Sequence, residues 1–240
     1  MGKSTNFEIL TLFPVYFESP FSQSILNRAI KDGLLKINIF NLRDFAPPPQ
    51  RTVDDKPYGG GPGMVLKVDV LVKALESISK EAGEKPYVIL LDPKGKLYNQ
   101  KIAERLSKKE RILIICGHYE GVDERFAQNW ADELISVGDY VLTGGEPAAL
   151  ILADSIARLK TGVLGNIESK ELESFSKIET KAGKQVRILD FPVYTRPQIY
   201  RAKKVPNVLL SGDHEKIRNW RLQKARELTK KVRPELLTSD

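Results

Sequence analysis

Glycines interleaved with acidic and aromatic side chains, set at the ends of apolar runs, are the residues in this chain that could do chemistry. Between Ile112 and Arg158 an apolar run ending at Cys116 leads into GHYEGVDER. A second stretch, ISVGDYVLTGGEP, follows, and a helix is expected to open at Pro147. Glycine lets the backbone approach a ligand closely or take up positive φ. Proline suits a first helical position, where its missing N–H costs nothing. A pocket floored by backbone amides at the carboxyl ends of strands is where open α/β sheets hold ligands. A second glycine-rich stretch lies upstream in Arg43–Met64, RDFAPPPQRTVDDKPYGGGPGM. It is too irregular for a regular element and too long for a plain connection. Asp54 and Asp55 add acceptors beside it, Tyr58 and Met64 flank Gly59, Gly60, Gly61, Pro62 and Gly63, and together they read as a substrate-binding loop.

These loops need a scaffold. Phe7 to Leu12 alternates as a strand and stops at Phe13-Pro14. Ser22 to Ile30 has helical spacing closed by Gly33, and Lys36 to Phe40 alternates again. This strand–helix–strand rhythm predicts a parallel sheet. Val68 to Ile78 reads as an amphipathic helix, Val88 to Leu91 and Ile112 to Cys116 as buried parallel strands, and Asn99 to Leu106 as a helix. Val88 to Leu91 runs into Asp92-Pro93-Lys94-Gly95.

Composition narrows the class. With 240 residues and 41% hydrophobic content the chain can bury a core, in one large domain or two unequal ones. No run of eighteen apolar residues exists, so no membrane partner is expected, and MGKSTNFEIL lacks a secretory pattern. The GKST there has no upstream glycine or strand and is not a phosphate loop. A lone cysteine, Cys116, excludes an internal disulfide and fits a reducing, cytoplasmic setting. The net charge of +7 is unevenly placed: from Phe191 onward there are 12 Lys/Arg against 5 Asp/Glu, which leaves the first 190 residues neutral. A neutral body with a basic tail is the footprint of a nucleic-acid partner. In that tail Ser211 or Asp213 could cap a long helix through Ile217, Trp220, Ala225 and Leu228 that displays Arg218 and Arg221. His214 stands at its start as an RNA contact or cap.

No G-x-G-x-x-G follows the first strand, so a dinucleotide cofactor is not expected. S-adenosylmethionine, which has no phosphates and needs backbone amides, an adenine slot and a few polar contacts, fits the loops better. With the basic tail it points to nucleic-acid methylation.

The motifs LTLFP, TVDDKPYGGGPGM, GHYEGVDER, ISVGDYVLTGGE, GVLG, YTRP and SGDHEKIRNWR, in this order from Leu10 to Leu236, resemble the bacterial tRNA (guanine-1)-methyltransferase family, TrmD. The resemblance implies the SPOUT class: an α/β, parallel-sheet domain with flanking helices and a trefoil knot near its C-terminal end, plus a small helical C-terminal domain. It implies residues 1–162 for the methyltransferase domain, 163–189 for a flexible linker and 190–240 for a helical domain gripping the anticodon arm. It also implies a homodimer with a shared active site, acting on guanine at tRNA position 37. The S-adenosylmethionine pocket would use Leu90, Leu91, Asp92, Gly117, Tyr119, Glu120, Val137, Gly138, Tyr140, Leu142, Gly144 and Gly145. Arg158 matches the arginine that faces the guanine keto oxygen. The family's catalytic aspartate precedes Ser-Phe; here Glu173 holds that place in ELESFSK, with Asp190 as second candidate base and Glu171 as third. Some relatives use Mg2+ during catalysis, and no dedicated protein site for it can be named here. Two other functions are a ribose 2′-O-methyltransferase and an RNA-binding protein that has lost catalysis.

Overall fold

The computed structural model describes residues 5–164, 173–180 and 183–238. The chain divides into two compact units, Met1–Gly165 and Asn166–Asp240. In the first, the elements are β1 (Thr5–Thr11), α1 (Glu18–Phe21), α2 (Ser24–Lys31), β2 (Leu35–Asn41), β3 (Asp54–Asp55), β4 (Val65–Leu66), α3 (Val68–Ala82) and β5 (Tyr87–Leu97). They continue with α4 (Gln100–Leu106), β6 (Arg111–Cys116), α5 (Glu124–Asn129), β7 (Glu133–Ser136) and α6 (Glu146–Ala157).

Five of these strands form one sheet in the order β2-β1-β6-β5-β7, and every pairing is parallel. Side chains alternate across it. Phe7, Ile9, Ile89, Leu91, Ile112, Ile114 and Cys116 point to one face, where they pack with Ala149, Leu152 and Ile156 of α6. Leu10, Val88, Leu90, Leu113 and Ile115 point to the other, against Leu71, Leu75 and Ile78 of α3 and Phe126 of α5. Both faces are covered by helices, which is why the central strands read as unbroken apolar runs. Among the described residues of this unit Arg111 makes a buried ion pair with Glu8 at 3.0 Å and donates to the Ile78 carbonyl at 2.8 Å. Burial pushes the Glu8 carboxyl up, against the pull of the Arg111 guanidinium.

Strand β5 carries the decisive irregularity. Leu91 and Lys96 both pair with Ile135 of β7, so residues 92–95 bulge out of the ladder. A bulge of this kind re-aims the chain beside a site. Gly95 closes it, since a Cβ there would strike the Leu134–Ile135 backbone.

The second unit holds β8 (Ser176–Glu179), β9 (Gln185–Ile188), β10 (Ile199–Tyr200), β11 (Lys203–Lys204) and α7 (His214–Val232). The strands make two antiparallel pairs, β8-β9 and β10-β11, neither of them expected from the sequence. The first lies inside the span read as a linker: few bulky apolar residues mark it because each strand has only four residues and the buried set is confined to Val186, Arg187 and Ile188. Helix α7 is capped by Asp213, whose side chain accepts from the Lys216 amide at 3.0 Å; Ser211 instead accepts from the Asp213 amide at 3.2 Å.

Candidate active site

Three loops meet at the carboxyl ends of β5, β6 and β7 and enclose a cavity of about 410 Å3. That volume lies within the ~300–1,000 Å3 of small-molecule sites. The bulge contributes Asp92, Pro93 and Lys94. The loop after β6 contributes Gly117 through Val122. The chain from Val137 to Gly145 closes the far side, and Leu91, Ile135 and Ala148 form the apolar floor.

Backbone contacts hold these loops in place. The Gly145 amide donates to the Gly117 carbonyl at 2.8 Å, and His118 bridges Gly144 in antiparallel fashion. Gly145 is obligatory for packing: a Cβ would stand 2.7 Å from Cys116 Cα and 3.0 Å from the Gly117 amide nitrogen. Gly145 caps α6, Glu146 is the first helical residue, and Pro147 is therefore second rather than first. Glu146 is buried and accepts a 2.7 Å hydrogen bond from Thr11 Oγ1, with its carboxylate at the positive end of α6, where the helix dipole favours it. Burial pushes the Cys116 thiol well up, and the Glu146 charge adds to the shift, so the buried cysteine behaves as a small apolar side chain. Tyr119 holds φ 59°, a left-handed conformation that a bulky residue occupies at a cost of order 1–3 kcal/mol. His118 lies edge-on to Phe13 at 5.0 Å and to Tyr119 at 4.8 Å, and its Nδ1 is buried without a hydrogen-bond partner. Lys94 bonds Glu124 at 2.9 Å, which raises its pKa and ties the bulge to α5.

Of the residues expected around a cofactor, all except Leu90 line this cavity. Leu90 is buried on the opposite face of the sheet. Its neighbour Leu91 takes the site face because β5 alternates, a parity the motif alone does not display.

The glycine-rich loop of residues 59–63 is joined to the same site by its exit. The Glu120 amide donates to the Met64 carbonyl at 3.0 Å, Leu66 to Gly121 at 3.0 Å, and Asp123 to Leu66 at 3.1 Å. Its entry is held by Asp54 of β3, paired with Leu66 of β4. Between these clamps Tyr58 is fully exposed, and Gly59 and Gly60 adopt φ of 87° and 79°, with Pro62 exposed beside them.

The chain matches the family described as tRNA (Guanine-1)-methyltransferase TrmD over residues 5–239. The chain belongs to the TrmD family. Relatives named tRNA (guanine-N(1)-)-methyltransferase include one from Dictyoglomus turgidum, 50% identical over 96% of this chain and 89% of its own. Another, from Sulfurihydrogenibium sp., is 49% identical over 95% of this chain and 86% of its own. Among solved structures, that of tRNA (m1G37) methyltransferase from Aquifex aeolicus superposes with a TM-score of 0.77 at 41% identity, covering 98% of this chain and 95% of that one. The parallel sheet with helices on both faces is thus a TrmD, SPOUT-type fold.

The residues expected to act on the substrate are divided between the two units. Arg158 is the exposed C-cap of α6, about 20 Å along the helix axis from Gly145. Glu173 and Asp190, named as alternatives, stand at the same end of the β8-β9 pair: Phe175 donates to the Ile188 carbonyl, and Ser174 Oγ accepts from the Asp190 amide at 3.0 Å. Thr229 of α7 anchors that end by accepting from the Leu189 amide at 2.9 Å. Glu171 lies outside the described residues. On α7, His214 and Arg218 are exposed, and the Arg221 guanidinium lies 4.8 Å over the Phe191 ring.

Residues at or beside the cavity that the sequence did not single out as site residues are Lys94, His118, Thr11 and Glu146. Lys94 and His118 sit inside recognised motifs and could have been picked out as the ionisable members of each loop. Thr11–Glu146 joins positions 135 residues apart and had no local signal. Among the described residues no group of three or more His, Cys, Asp or Glu could hold a metal ion, and no helix is long and apolar enough to cross a membrane.

Proposed function

We propose that this chain transfers a methyl group from S-adenosylmethionine to ring nitrogen 1 of guanine at tRNA position 37. The observation that carries this is the glycine-lined cavity, whose walls are the family's own motifs in a chain that matches the family from residue 5 to 239. The cavity fits the cofactor: backbone edges at Gly117, Gly138, Gly144 and Gly145 give close approach, Leu91, Ile135 and Ala148 an apolar slot, and the orphaned His118 Nδ1 a polar partner to offer. When bound, the cofactor supplies an electrophilic methyl on a sulfonium.

This chain's part is to hold the guanine and take its proton. Ring nitrogen 1 of neutral guanine carries a hydrogen and no free electron pair, so a carboxylate must accept that proton as nitrogen attacks. Glu173 is our first choice and Asp190 the second; their placement at one hairpin end supports either as the base. Arg158 would stabilise the charge gathering on the keto oxygen. Its distance along α6 from the cavity supports a homodimer in which a second copy completes the site. The tail's exposed cations support an anticodon-arm contact by residues 190–240, with 1–162 holding the cofactor and 163–189 joining the two.

The test is methyl transfer from labelled cofactor to a tRNA transcript with guanine at position 37, beside one with adenine there. Transfer should require the guanine, and Glu173→Gln should lower the rate by ~10²–10⁴. Retained rate in Glu173→Gln with loss in Asp190→Asn moves the base to Asp190. Absence of transfer by the unaltered chain, with cofactor bound, defeats the proposal.

A further inference from the structure

The basic tail does not spread its free charge evenly. On α7 and just beyond it, three cations are paired with acids: Lys216 with Asp213, Lys224 with Glu227 and Arg233 with Glu235. From Phe191 to Gly212 there are four cations, Arg196, Arg201, Lys203 and Lys204, and no acid. Among the described residues none of those four makes an ion pair.

Three of them sit on one small device. Ile199–Tyr200 and Lys203–Lys204 pair antiparallel around a two-residue turn, Arg201-Ala202, with Tyr200 opposite Lys203. Both turn residues are left-handed, at φ 46° and 62°. Such turns match the twist of a hairpin but favour Asn and Gly, and an L-residue there costs roughly 1–2 kcal/mol. The Arg201 guanidinium lies 5.5 Å over the Tyr200 ring, which stays 62% exposed, and Ile199 is 53% exposed. Both apolar side chains of β10 are thus open to solvent beside the unpaired cations. Aromatic ring, stacked guanidinium and two unpaired lysines are the elements by which proteins hold unpaired nucleotides.

We infer that the β10-β11 hairpin is a stacking site for one unpaired base of the RNA substrate. Tyr200 and Arg201 take the base, and Lys203 and Lys204 hold the adjoining phosphates. This rests on the tRNA reading above and adds to it a contact separate from those of α7.

The experiment is filter binding of the full chain to the guanine-37 tRNA transcript over a range of salt concentrations. Tyr200→Ala should weaken binding about 5- to 150-fold with the salt slope unchanged, and Tyr200→Phe should stay close to the parent. Lys203→Gln with Lys204→Gln should reduce the slope by about 1.4 to 1.8. Cofactor affinity and the thermal melt, measured on each variant, report whether the fold is intact. A folded Tyr200→Ala chain that binds tRNA like its parent overturns the inference and turns the exposed ring toward a protein partner. If the parent itself neither prefers this tRNA nor methylates it, the tRNA reading falls, an outcome visible before any hairpin variant is made.

Discussion

Two glycine-rich stretches, 59–63 and 144–145, look alike in sequence and are physically opposite. Gly59, Gly60 and Gly61 hold φ of 87°, 79° and 121° in open space, where an added Cβ would meet nothing within 4 Å. Gly144 and Gly145 have ordinary φ but are crowded: a Cβ on Gly144 would run into Glu146 and His118, and one on Gly145 into the Cys116–Gly117 backbone. The upstream loop uses glycine for backbone freedom, the downstream loop for absence of a side chain. A loop of the first kind can adapt to a large ligand. One of the second kind is already shaped for a small one. Gly63 belongs to both, since it is left-handed, at φ 82°, and abuts the Glu120 side chain.

Substitutions by alanine should separate these roles. Gly145→Ala should have the largest effect: overpacking against fixed backbone costs about 1–3 kcal/mol. Cofactor affinity measured by titration calorimetry should fall by about 5- to 150-fold if the loop must open to relieve it. Gly63→Ala should lower both cofactor and tRNA affinity, because Glu120 must swing out of the cavity wall; a loss in tRNA binding alone would show that Glu120 moves freely. Gly60→Ala should leave cofactor affinity unchanged and weaken tRNA binding by about tenfold or less, as expected of about 1 kcal/mol of left-handed strain. The smallest effect is expected at a left-handed turn that lacks glycine. Ala202→Gly should raise thermal stability by less than about 1 kcal/mol, strain relief being partly offset by a more flexible unfolded chain.

Much of the first unit was legible in the sequence. The strands at β5 and β6 showed themselves because burial on both faces demands unbroken apolar runs, and α3 because its apolar stripe has helical period. The cavity motifs were legible as glycines at strand ends. The short hairpins were not: strands of two to four residues leave no period to count. Leu90 shows the same boundary at the scale of one residue. The motif placed it beside Leu91, and only the parity of β5 turned one to the site and the other to α3.

By itself the sequence determined the chemistry on offer: which residues are glycine, acid, aromatic or cation, where apolar runs must be buried, and which family's motifs they spell. Tertiary structure alone decided which of those residues meet. The bulge at 92–95, the Thr11–Glu146 bond, the clamp between Met64 and Glu120, and the shared hairpin end of Glu173 and Asp190 all join positions distant along the chain. The physical reason is that local propensity acts over a few residues. Register, strand parity and close approach are settled only when the whole sheet and its helices pack.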